Sequence, residues 1–165
     1  MVDSVMKVTI FFGSKSDTQI MQKAADVLKE FGVPYASYII SAHRAGDLLA
    51  ETIAKEEEAG TEVFIAGAGL SAALPGVVAS HTVLPVIGVP LDGGKVAGYD
   101  SLLSVVQMPK QIPVAAVGMD NAANAAYLAC EILSIKYPEI KTKLVAFRKR
   151  LQDEIRADLD PQVLG

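Results

Sequence analysis

The sequence holds one cysteine and no tryptophan in 165 residues, and aromatic residues make up only 6% of it. The lone Cys130 excludes an intramolecular disulfide and a cysteine-based metal cage. It falls in an apolar helical stretch, which reads as a buried structural thiol rather than a nucleophile. Basic charge is not in excess either: 15 Lys and Arg stand against 19 Asp and Glu, for a formal net charge of -4. Without a basic stripe the chain does not read as a nucleic-acid binder. An anionic ligand would have to be gripped locally, by backbone amides and one or two cations. No apolar run is long enough to span a membrane. The least polar stretch, Val63 to Ala79, is broken by Gly67, Gly69, Ser71, Pro75 and Gly76, whereas a spanning helix needs about 20 apolar residues. Met1-Val2-Asp3-Ser4 shows neither the positive cluster nor the apolar core of an export signal. The expectation is a cytoplasmic protein with no membrane and no nucleic-acid partner.

What is present is globular: 51% hydrophobic and 21% charged residues. The length suits one domain over residues 1–165 that buries roughly two-thirds of its unfolded surface. Short apolar runs at Lys7–Phe12, Tyr35–Ile40, Glu62–Ala66, Pro85–Val89 and Val114–Val117 predict strands buried on both faces. Helical spacing predicts helices between them, over Thr18–Phe31, Gly46–Ala59, Ala72–Ser80 and Ser101–Val106, with Gly32 and Gly60 as stops. Alternation of strand and helix implies right-handed crossovers and a parallel sheet covered on both faces.

The last third has a different pattern. Asn121–Ile135 is apolar nearly all round and is expected to be buried on every side, more than one subunit readily encloses. After Pro138 a final helix over about 139–156 carries Ile140, Leu144, Phe147, Leu151 and Ile155 in a narrow stripe. Such a stripe suits docking on a neighbouring subunit; the alternative is a helix folded back on its own subunit. Residues 158–165 read as a frayed tail.

Chemistry concentrates where the first three strands end. Val8–Phe12 stops at Gly13-Ser14-Lys15-Ser16-Asp17, Tyr38–Ile40 at Ser41-Ala42-His43-Arg44, and Val63–Ala66 at Gly67-Ala68-Gly69-Leu70-Ser71. In an open parallel sheet all strand C-termini share one edge, so these tips converge on one crevice. Gly13 lets the backbone approach a ligand, Ser14 and Ser16 offer hydroxyls, and the following helix start offers free amides. Asp17 suits a helix N-cap before Thr18 and equally a ligand contact. Arg44 presents a planar fork for a phosphate. The His43 imidazole lies between a hydroxyl and a cation, which suits proton transfer. His81, at the end of a short helix, reads as a surface or capping residue. The Gly67–Gly76 stretch suits close backbone approach to a flat ring. Pro90–Lys95 reads as a flap over the site, and Asp100–Pro109 as a pocket wall or a subunit contact.

Taken together these motifs resemble the PurE family of purine biosynthesis. Gly13-Ser14-Lys15-Ser16-Asp17, Ser41-Ala42-His43-Arg44, Ala66-Gly67-Ala68-Gly69, Leu74-Pro75-Gly76, Leu84–Pro90, Asp100-Ser101-Leu102-Leu103-Ser104 and Val106-Gln107-Met108-Pro109 carry the likeness, with Asn121–Ala126 in the late helix. It covers about residues 7–135. The resemblance implies a three-layer αβα, flavodoxin-like parallel sheet of about five strands, a homo-octamer with active sites near subunit contacts, and no metal or organic cofactor. It implies an isomerase that converts N5-carboxyaminoimidazole ribonucleotide to 4-carboxyaminoimidazole ribonucleotide by decarboxylation and recarboxylation. His43 would be the acid–base residue, Asp17 would hold ribose hydroxyls, and Ser41 and Arg44 the phosphate. Ser14, Gly13 and Ser16 would be further contacts, with Ala68, Gly69 and Leu70 against the ring.

Two departures stand out. Many mutase sequences carry histidine directly before Leu-Pro-Gly, where this chain has Ala73, and Thr-Pro after Ser-Ala-His-Arg, where it has Ala45-Gly46. Two alternatives remain. One is direct carboxylation of aminoimidazole ribonucleotide by free carbon dioxide, a branch that commonly has Lys where this chain has Arg44. The other is a non-catalytic flavin- or phosphate-binding module.

Overall fold

The computed structural model describes residues 6–159. Its elements are β1 (Lys7–Phe12), α1 (Thr18–Phe31), β2 (Tyr35–Ile39), α2 (Gly46–Glu58), β3 (Thr61–Gly69), α3 (Leu74–Ser80), β4 (Val86–Leu91), α4 (Tyr99–Val106), β5 (Ala115–Ala116), α5 (Ala122–Leu133) and α6 (Pro138–Ala157). A single 3-10 turn, Lys15–Asp17, precedes α1. The sheet has five strands in the order β2-β1-β3-β4-β5, every pair parallel. This is the flavodoxin-like order.

Alternate residues of each central strand face opposite layers. Val8 and Ile10 of β1, Val63 and Ile65 of β3, and Ile87 and Val89 of β4 join Met21, Leu28 and Phe31 of α1 and the alanines of α5 in one core. Phe11, Phe64 and Ala66 face the other way, onto Leu49 and Ile53 of α2, Val78 of α3 and Val105 of α4. The α1 stripe at positions 21, 24, 28 and 31 is fully buried because helical spacing aligns it on one side. The helix ends at Gly32, whose φ of 69° supplies the left-handed cap. At Gly88 a Cβ would stand 2.5 Å from Val105 Cγ1 and 2.9 Å from Val114 Cγ1. Helix α4 therefore lies against bare β4 backbone.

Several expectations need correction. Tyr35–Ile40 is not buried on both faces: β2 is the sheet edge, paired only with β1, and Tyr35, Ser37 and Ile39 are exposed. Strands β3 and β4 run past Ala66 and Val89, through the pairs Gly67↔Val89, Ala68↔Pro90 and Gly69↔Leu91. Glycine and proline read as breakers, yet ladder bonds need only backbone groups. Strand β5 shrinks to two residues because only Ile87 and Gly88 pair with it. Helix α5 needs no second subunit for most of its burial. It packs against α1, β3 and α6, and Ala122, Ala125, Ala126, Ala129 and Cys130 are fully buried. Burial pushes the Cys130 thiol up to about 12, which makes it inert.

The start of α6 folds back on its own subunit. Ile140 and Leu144 are buried, Phe147 stacks on Tyr127 at 4.9 Å, and Lys143 Nζ donates to the Phe31 carbonyl at 2.6 Å. A cation at that carbonyl complements the C-terminal dipole of α1. Leu151 and Ile155, further along the stripe, are exposed. Most of the expected tail, 160–165, lies outside the described residues.

At the N-terminal edge of the sheet sits a buried carboxylate. Glu56 accepts from Tyr38 Oη at 2.8 Å and Thr9 Oγ1 at 3.0 Å, and pairs with Lys7 Nζ at 2.6 Å. Thr9 in turn meets Thr61 Oγ1 at 2.7 Å. Burial raises the carboxyl's pKa, but the bonds from Lys7, Tyr38 and Thr9 and the Lys7 charge together outweigh it and leave it below its ordinary value. A depressed folded value means that the stabilisation is present above the ordinary carboxylate value, near pH 4.5, and is lost as pH falls through the folded value. Glu56→Gln is expected to cost about 1–3 kcal/mol at pH 7. The gap to the parent protein should narrow as pH is lowered below the ordinary carboxylate value and through the depressed folded one, as measured by denaturant unfolding across an acid pH series.

Candidate active site

The parallel register sets the site. Phe12 pairs with Ile39 on one side and Gly67 on the other, so the three following turns leave the same edge. The order reverses at β1, which opens a crevice between the β1 and β3 tips. A cleft of about 600 Å³ occupies that place.

From the β1 turn come Gly13, Ser14, Ser16 and Asp17. The expected capping role of Asp17 does not hold. It occupies the N-cap position of α1, but its backbone is already helical and its side chain caps nothing. Ser14 instead caps the 3-10 turn, accepting from the Ser16 amide at 3.3 Å. Ser16 Oγ lies 2.9 Å from Ser14 Oγ and 3.1 Å from Asp17 Oδ1. A hydroxyl has one proton, so Ser16 serves one of these acceptors at a time. The Asp17 carboxylate thus keeps lone pairs for a ligand.

From the β2 turn come Ser41, Ala42, His43 and Arg44. The turn closes on itself, with the amides of Arg44 and Ala45 donating to the Ser41 carbonyl at 3.2 and 2.9 Å. His43 and Arg44 are exposed and turned to the cleft. Arg44 Nη2 reaches the Gly13 carbonyl at 3.4 Å, bridging the first and second turns. On its far side lies a second cleft of about 450 Å³, which adds Lys15, Ile39, Ile40, Ala45 and Leu48 to Gly13, Ser14, Ser41 and Arg44.

From β3 come Ala68, Gly69, Leu70 and Ser71, and from the start of α3 Ala73 and Leu74. Gly67, expected among the ring-facing amides, is absent from this lining: a Cβ there would overlap Met21 Sδ at 2.3 Å, so it faces α1. Leu70 has a φ of 54° and its side chain is exposed. The bends Ala72 N to Leu70 O, 2.8 Å, and Ala73 N to Ser71 O, 2.6 Å, follow it. They delay α3 to Leu74 rather than Ala72. Ala73 therefore lies in the cleft wall with no second imidazole, since His81 is an exposed residue at the far end of α3.

The ten residues expected to form the site all line this one cleft. Ala42, Ser71, Ala73, Leu74 and Gly93 line it as well. Gly93 belongs to the segment expected as a flap, although Pro90 and Leu91 at its start are part of β4. The Asp100–Pro109 run contributes nothing to this wall: α4 packs on β4 instead. Among the described residues no three His, Cys, Asp or Glu side chains gather into a metal ligand set, and no helix is long and apolar enough to cross a membrane.

A profile of the AIR carboxylase family matches residues 7–154. This chain belongs to that family. It is 57% identical over 148 residues to the N5-carboxyaminoimidazole ribonucleotide mutase of Pyrococcus horikoshii, covering 90% of this chain and 84% of the relative. The protein of the same name from Vibrio parahaemolyticus is 48% identical over 158 residues, 94% of this chain and 98% of its own. The crystal structure of Treponema denticola PurE superposes with a TM-score of 0.82 at 33% identity, over 92% of this chain and 95% of that one.

A branched side chain in the left-handed region costs roughly 1–2 kcal/mol, which asparagine bears more easily. Leu70→Asn is therefore expected to raise unfolding stability by about 0.5–1 kcal/mol. The midpoint of a urea titration checks it.

Proposed function

We propose that this chain converts N5-carboxyaminoimidazole ribonucleotide to 4-carboxyaminoimidazole ribonucleotide, as a cytoplasmic homo-octamer without metal or organic cofactor. One observation carries the reading. Three turns far apart in sequence open on one cleft, in a chain 57% identical to a protein named for that reaction.

The residue types suit the chemistry. Asp17 accepts from the ribose hydroxyls. Ser14, Ser41 and the Arg44 fork hold the phosphate; the amides of Ser16, Asp17 and Thr18 are already taken up inside the turn and are not free for it. The ring lies on the bare backbone of Ala68–Leu70. The exocyclic N–C bond breaks, carbon dioxide is released inside the cleft, and the nitrogen takes up a proton. The ring carbon then attacks carbon dioxide, a C–C bond forms, and the proton on that carbon leaves. The net proton movement runs from ring carbon to exocyclic nitrogen, so one imidazole, His43, can give the first proton and take the second. Ala73 offers no other carrier.

Carbon dioxide must not escape between the two steps. Exposed Ile39, Leu48, Leu70 and Tyr99 surround this end of the molecule, and an octamer would cover them and close the cleft with neighbouring subunits.

The alternative that the sequence left open is direct carboxylation of aminoimidazole ribonucleotide by free carbon dioxide. Assays with each nucleotide separate the two. We expect product from N5-carboxyaminoimidazole ribonucleotide without added bicarbonate; product only from aminoimidazole ribonucleotide plus carbon dioxide would replace the first reading with the second. His43→Asn should lower kcat by about 10²–10⁴ and leave nucleotide affinity within a few-fold; retained turnover removes His43 from the mechanism. Arg44→Ala should weaken nucleotide binding by about 10–100-fold, the worth of a charge-assisted bond to phosphate, as read by titration calorimetry.

A further inference from the structure

Four polar or charged residues are buried among the described residues: Thr9, Glu56, Thr61 and Ser101. The first three form the network at the N-terminal edge of the sheet. Ser101 stands apart, on α4 at the C-terminal edge, and the proposed chemistry does not use it. Its hydroxyl lies 2.8 Å from the Leu91 carbonyl and 2.9 Å from the Gly98 carbonyl. Leu91 ends β4 and Gly98 precedes α4, so the two acceptors bracket the 92–98 loop.

The ends of that loop touch. A Cβ on Gly98 would come within 3.4 Å of Asp92 Cα. Ala97 and Gly98, with φ of 51° and 72°, turn the chain back. The Asp92 amide donates to Asp120 Oδ1 at 3.0 Å, and the Asp120 amide to the Pro90 carbonyl at 2.9 Å. Between its ends the loop lies on the β3 tip. A Cβ on Gly69 would be 3.6 Å from the Gly93 amide nitrogen, and one on Gly94 3.1 Å from Leu70 Cδ2. Gly93 lines the cleft.

We infer that Ser101 is a positioning residue: its buried hydroxyl ties the two ends of the 92–98 loop together and so holds Gly93 as a wall of the cleft. One hydroxyl proton is shared between two carbonyls. The tie passes from strand end to loop end without either group being left far from a donor. The Asp120 carboxylate is the second clamp, on the Asp92 amide. The inference rests on the proposed function only for the nucleotide used to probe the cleft.

The test uses trypsin, because Lys95 is exposed in the loop, together with calorimetry of 4-carboxyaminoimidazole ribonucleotide, the product of the proposed reaction. Loss of one hydrogen bond from a local opening equilibrium corresponds to about tenfold. Ser101→Ala should be nicked after Lys95 about tenfold faster than the parent protein. It should bind the nucleotide about tenfold more weakly, with cleavage elsewhere unchanged. Nicking and affinity both at parental values would overturn the inference. Should Ser101→Ala fail to fold, Asp120→Gly decides: it keeps the left-handed backbone and removes the other clamp, and it should move both readouts the same way. A parent protein that fails to bind the nucleotide would overturn the proposed function instead, while the nicking rates still report on Ser101.

Discussion

Parallel pairing of β1 with β2 on one side and β3 on the other fixes where every chemical group of this molecule can stand. A parallel ladder sends each strand out at the same edge and forces each connection to return over a face. The Gly13–Asp17, Ser41–Arg44 and Gly67–Ser71 turns are thereby neighbours although they are far apart in sequence. Slipping β1 by one residue would exchange Val8, Ile10 and Phe12 with Thr9 and Phe11 between the two layers. It would also swing the Gly13 turn away from the other tips. The register that buries the core is the register that assembles the cleft.

The sheet separates two tasks between its edges. At the N-terminal edge, Glu56 is held charged by Lys7, Tyr38 and Thr9, and ties α2 to β1. Its bonds are short and buried, as suits a group whose service is stability. At the C-terminal edge, Ser16, Asp17, His43 and Arg44 are half-buried or exposed and make few bonds to the rest of the fold. The groups proposed to engage a ligand thus keep hydrogen-bonding capacity free.

Much of this arrangement was legible in the residues. The α1 span was read correctly because a stripe of large apolar residues, a polar start and a glycine stop agree with one another. The convergence of the three turns was legible because runs of β-branched residues ended in small polar ones. Other features were hidden for identifiable reasons. The edge position of β2 depends on which strand it pairs with, and its alternating Tyr35, Ser37 and Ile39 show it only once the order is known. The reach of β3 through Gly67, Ala68 and Gly69 was masked because ladder bonds ignore side chains. The burial of α5 was over-assigned to a second subunit, since small alanines let α1 and α6 approach more closely than its apolar surface suggested. Gly93 was legible only as part of a flap over the site, because its place in the cleft wall is set by contacts of the chain at Gly69 and Leu70.

The long bond from Arg44 to the Gly13 carbonyl has a consequence for how an anion would be received. At 3.4 Å the contact is strong enough to orient the guanidinium across the mouth of the cleft, yet weak enough to surrender cheaply. A side chain locked in a tight ion pair would have to break it before greeting a newcomer, and much of the new attraction would be cancelled. Here the cation waits loosely moored, between two hollows, and an arriving negative group needs only to turn it.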